Sequence, residues 1–73
     1  MNAETEFWIE EVKKIMETGG GPFTRLMIAK RLEALHGISH QEAMNNVSTA
    51  FEFDKDNKPR LFKISKPGWW ELT

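Results

Sequence analysis

After Pro59 the hydrophobic period of this chain changes, and that change constrains its fold more than any single residue does. Up to Phe53 the apolar residues recur every three or four positions, as on one face of a helix, whereas from Leu61 to Leu72 they alternate as in a strand. Breaks marked by glycine divide the helical part into three. In 73 residues there is room for one domain, spanning 1–73, and one core.

The first helix is expected from about Thr5 to Thr18. Trp8, Ile9, Val12, Ile15 and Met16 form its apolar stripe, with Glu10, Lys13, Lys14 and Glu17 outside it. Gly19, Gly20 and Gly21 end it, Pro22 prevents continuation, and Phe23 falls in a short extended link. Thr24 has the chemistry of an N-cap for a second helix that buries Ile28, Ala29, Leu32 and Leu35 and stops at Gly37. Ser39 and Glu42 have the spacing of a capping box, so a third helix starts there. It is expected to bury Ala43, Met44, Val47, Ala50 and Phe51, and to end at Phe51 or Phe53 before a polar loop over 54–59.

Leu61–Ser65 and Trp69–Leu72 read as two strands joined by Lys66, Pro67 and Gly68. A lone hairpin is unstable in water, so one face must cover the helices, and Phe62, Ile64, Trp70 and Leu72 are the alternating residues for that contact. The predicted class is α+β, mainly α: a winged helix-turn-helix with a three-helix core and a C-terminal two-stranded wing.

Composition narrows the function. Hydrophobic residues make up 40% and charged residues 29%, which supports a folded core rather than disorder. Without cysteine there is no disulfide, thiolate zinc site or cysteine nucleophile, and the chain suits a reducing, cytoplasmic setting. No apolar run reaches the length of a membrane span, and the acidic start is unlike a secretory leader. His36 and His40 are four apart, but Gly37 and the Ser39 cap break any shared helix, so no metal site is expected. The GGGP stretch lacks the residues of a phosphate loop, and nothing supports a catalytic triad, a cofactor or a small-molecule substrate. The expectation is a binding module rather than an enzyme.

The stretches GPFTRLMIAKRLEALHG and RLFKISKPGWWELT resemble the second helix and the closing wing of the HARE-HTH winged-helix family, and less closely the N-terminal winged domains of Mrr-type restriction proteins. The resemblance covers nearly the whole chain and rests mostly on core and turn positions. It implies association with double-stranded DNA in restriction, transcription or chromatin-linked proteins.

On a helical wheel, Gln41, Asn45, Ser48, Thr49 and Glu52 turn away from the core of the third helix. Asn and Gln can pair with adenine, and Ser and Thr can reach bases or phosphates, although any solvated helix also shows a polar face. Lysine and arginine are absent between Ser39 and Asp54, while Glu42, Glu52 and Asp54 would repel phosphate. The cations lie elsewhere: Lys55, Lys58, Arg60, Lys63 and Lys66 at the wing, with Arg25, Lys30 and Arg31 on the second helix. They suit a phosphate backbone, though lysines also protect exposed strands from aggregation.

Trp69 and Trp70 are adjacent on a strand and must face opposite ways, so one of them, Trp69, is at least partly outside. It would anchor an interface or pack on Pro67 or a lysine stem. Phe7 and Trp8 raise the same question on the first helix, where Phe7 is a candidate dimer contact. Two functions follow. One is a DNA-binding module with the third helix in the major groove and the wing on the backbone. The other is a protein-interaction module of the same fold that does not bind DNA directly, with the acidic first helix and the acidic part of the third docking on a basic partner, or an exposed Trp anchoring an interface. A net charge of only -1 favours it, while a useful DNA binder is expected to form a homodimer or work beside another protein.

Overall fold

The computed structural model describes residues 3–73. The chain forms α1 (Ala3–Gly19), α2 (Arg25–His36), α3 (His40–Asp54), β1 (Phe62–Lys66) and β2 (Trp69–Leu72). The class is α+β, mainly α, with the winged helix-turn-helix order of three helices and a C-terminal antiparallel hairpin.

Along α1, Thr5, Ile9, Val12, Ile15 and Met16 are buried at helical spacing, and Trp8 packs on this stripe from its edge. The helix ends because Gly20 takes the left-handed conformation, φ 57°. Gly19 has a different task. The Phe23 ring lies directly over it, so a Cβ there would come within 2.7 and 2.9 Å of two ring carbons and closer still to the ring tip.

The joint between α2 and α3 follows its local chemistry. Thr24 Oγ1 accepts the Met27 N–H at 3.1 Å, while Gly37, at φ 64°, donates its N–H to the Glu33 carbonyl at 2.9 Å. Ile38 packs on the core, and Ser39 Oγ accepts the Glu42 N–H at 3.1 Å to open α3. Both other helices pack against α3, whose Ala43, Val47, Ala50 and Phe51 form the middle of the core.

The wing attaches through β2. Trp70 exchanges two backbone hydrogen bonds with Phe23, at 2.7 and 2.8 Å, so β2 lies between the Phe23 link and β1. The Trp70 ring stacks on Phe51, 4.0 Å between centroids and 13° between planes, and Phe62 meets Phe51 edge-on at 5.1 Å. These three aromatic rings join the hairpin to α3.

Several expectations need correction. Leu35 is 66% exposed. Helix α2 runs only one residue further, and His36, one turn after Leu32, turns inward instead to meet Trp8 and Glu11. Ile64 is 60% exposed although it pairs with Trp70 on the inward face of the hairpin. Phe62 and Trp70 already cover the helices, and a bulge between Ile64 and Lys66 carries the tip beyond them. Met44 is half-buried at the rim of the core rather than inside it.

Asp54 is the largest departure from the sequence reading. It ends α3 instead of opening a solvated loop, and it is completely buried. Its carboxylate accepts the backbone N–H of Leu61 at 2.9 Å, that of Phe62 at 3.0 Å and the Asn57 side-chain amide at 3.1 Å, with Arg60 Nε at 3.9 Å. A buried carboxylate is costly unless so satisfied, and here it fixes the path from α3 into β1.

Candidate nucleic-acid interface

Helix α3 turns one side to the core, and that packing leaves Gln41, Asn45 and Ser48 exposed together on the opposite side, with Thr49 half-exposed beside them. Their side chains take part in no hydrogen bond among the described residues, so their donors and acceptors are free. Glu52 lies on the same side, its carboxylate held by Lys55 at 3.2 Å. Because Asp54 is buried and satisfied, its charge is not part of this surface. The repulsion toward phosphate expected from it is replaced by a structural role.

The basic residues of the wing are more engaged than their number suggests. Lys63 Nζ lies 3.5 Å from Glu71 across the hairpin, Lys66 Nζ sits 5.1 Å above the Trp69 ring, and Arg60 leans on Asp54. Trp69 is half-buried, with the Lys66 ammonium over its ring. Exposed pairs of this kind contribute little stability, so a phosphate could compete for either lysine. Arg25 sits with its guanidinium 5.4 Å from the Trp70 ring and 5.9 Å from that of Phe51, where α2, α3 and the wing meet. Lys30 and Arg31 are exposed on α2 and have no ion pair among the described residues.

Phe7 is 48% exposed, with its ring edge-on to Trp8 at 5.0 Å and to His36 at 5.7 Å. Each histidine is occupied by a carboxylate: His36 Nε2 and Glu11 Oε1 are 2.8 Å apart, and His40 Nδ1 and Glu33 Oε2 are 2.9 Å apart. Among the described residues no cluster of three or more potential ligands could hold a metal. Partial burial pushes the Glu11 carboxyl up. The hydrogen bonds from Lys14 and His36 and their positive charge outweigh this, holding the carboxyl below the ordinary glutamate range.

Sequence reasoning overlooked Leu26 and Met27, both exposed at the start of α2. The signal was present, since neither residue falls on the stripe of Ile28, Ala29 and Leu32. Asp54 could not be found this way, because its partners lie three to eight residues ahead in a segment without periodicity.

Three helices followed by a C-terminal antiparallel hairpin give the chain a winged-helix-like layout. Comparison with family profiles, with curated proteins and with solved structures returned no match. No helix among the described residues is long and apolar enough to cross a membrane.

Proposed function

We propose that this chain is a small cytoplasmic DNA-binding module, akin to the HARE-HTH domains and serving regulation or restriction, with α3 in the major groove and the wing on the adjacent backbone. The observation that carries the reading is the exposed, uncommitted trio of Gln41, Asn45 and Ser48 on the helix that this fold offers to a groove. Arg25, Lys30, Lys63 and Lys66 supply the phosphate contacts, and Arg60 and Thr49 lie at the edge. With a net charge of -1, affinity for one copy is weak and falls steeply with salt.

A titration of isotope-labelled protein with a short random-sequence duplex, read by NMR at low and then higher salt, tests this reading. Shifts concentrated at 25–30, 41–52 and 60–69 that fade with salt support it, and the double substitution Lys63→Glu/Lys66→Glu should remove them. Absence of shifts at low salt would reject general DNA binding. The second reading, a protein-interaction module, is favoured by the internal pairing of the wing cations and by Leu26, Met27 and Leu35, exposed on α2.

A further inference from the structure

We propose that the outer face of α2 docks on α1 of a second copy, so that the protein associates head to tail through complementary charges around apolar contacts. The two faces match in chemistry. On α2, Leu26 and Met27 are 45% and 42% exposed, and one turn further on stand Lys30 and Arg31, both exposed and without ion pairs among the described residues. The helix offers no competing acidic group, since its sole carboxylate, Glu33, is half-buried and taken by His40.

On α1 the exposed side carries Glu4, Glu6, Glu10 and Glu17. Lys14 gives this side little relief, because its ammonium is bound to Glu11 at 3.2 Å, and the half-buried Lys13, one turn from Glu10 and Glu17, is a single cation against four carboxylates. Glu6 and Glu10, one turn apart, line an open groove of about 290 Å³ together with Ile9, Asn57 and Leu61. Such a groove accepts a flexible apolar side chain flanked by cations. Met27 is that side chain, and Lys30 and Arg31 are placed to meet the two glutamates. Among the described residues of one molecule these groups remain unpaired, so pairing draws on a second copy.

Because the surfaces differ, the contact is heterologous and builds rings or open chains rather than a twofold dimer. It is also weak: α2, with 12 residues, is only about 18 Å long and cannot bury the ~800 Å² per partner of a standard interface. This inference does not rest on DNA binding.

Sedimentation of the full chain from about 10 µM to about 1 mM at low salt tests it, with the weight-average mass expected to reach about twice the monomer value at the upper end. Glu6→Lys/Glu10→Lys and Lys30→Glu/Arg31→Glu should each be monomeric. Mixed in equal amounts they should associate again, since each then meets its complement. All four positions are exposed, and circular dichroism of each variant checks that it is folded. Wild-type protein that stays monomeric throughout, variants that associate as well alone as wild type does, or a mixture that stays monomeric would each overturn the proposal. Lys30 is also among the proposed phosphate contacts, so the two readings are separated by Glu6→Lys/Glu10→Lys, which changes no proposed DNA contact.

Discussion

Substituting Asp54→Ala withdraws, in one step, the acceptor of three hydrogen bonds. Two of the donors are backbone amides at the start of the wing, Leu61 and Phe62, and Phe62 is buried. Leaving a buried donor unsatisfied costs about 1–3 kcal/mol, which applies to Phe62, and the partly buried Leu61 amide adds up to about 1 kcal/mol, so these two predict a loss of about 1–4 kcal/mol. The Asn57 amide is partly exposed and adds little, because water can replace its partner. A chain of 73 residues is expected to be stable by about 4–11 kcal/mol at ~0.05–0.15 kcal/mol per residue, so the substitution should consume roughly a third of the total. Urea denaturation followed by tryptophan fluorescence and circular dichroism reads the loss. Hydrogen exchange at the Leu61 and Phe62 amides locates it. Asp54→Asn keeps the shape and one acceptor, and should fall between wild type and Asp54→Ala. If Asp54→Ala changed stability by less than about 0.5 kcal/mol, Asp54 would not be what fixes the wing. The Thr73 contacts with Leu61 and Arg60 would then have to hold it.

Gly19→Ala should cost about 1–3 kcal/mol, measured by thermal melting, because the added methyl group meets the buried Phe23 ring; an unchanged melt would mean that the ring moves aside freely. The depressed Glu11 carboxyl stabilises the fold above the ordinary glutamate value of 4.5, and this contribution is lost as pH falls through the lower folded value. Wild type should therefore exceed Glu11→Gln in stability near neutral pH, with the gap closing on acidification; a constant gap across the acid range would contradict the assignment. Leu35→Ser and Ile64→Thr should each stay within about 0.5 kcal/mol of wild type in urea denaturation, since both side chains are exposed, whereas a large loss would restore their places in the core.

What each segment forms was legible in the sequence because it rests on local physics. The Gly20 and Gly37 helix stops, the Thr24 and Ser39 caps and the Pro67–Gly68 turn act over a few residues, and the periods of three to four and of two identify the faces of α1, α3 and the hairpin. The outward trio of α3 follows from the same wheel. Periodicity assigns a direction to a side chain, but it does not say how far the neighbouring element extends. Ile64 points inward past the ends of the helices, and Leu35 stands on the last turn, where His36 takes the inward position. The charge count likewise could not tell which cations were already engaged. Only the folded chain brings Glu71 to Lys63, Trp69 to Lys66 and Asp54 to the wing amides, leaving Lys30 and Arg31 as cations on α2 without an ion pair among the described residues. These pairings depend on distances across elements, which tertiary packing sets and local sequence does not encode.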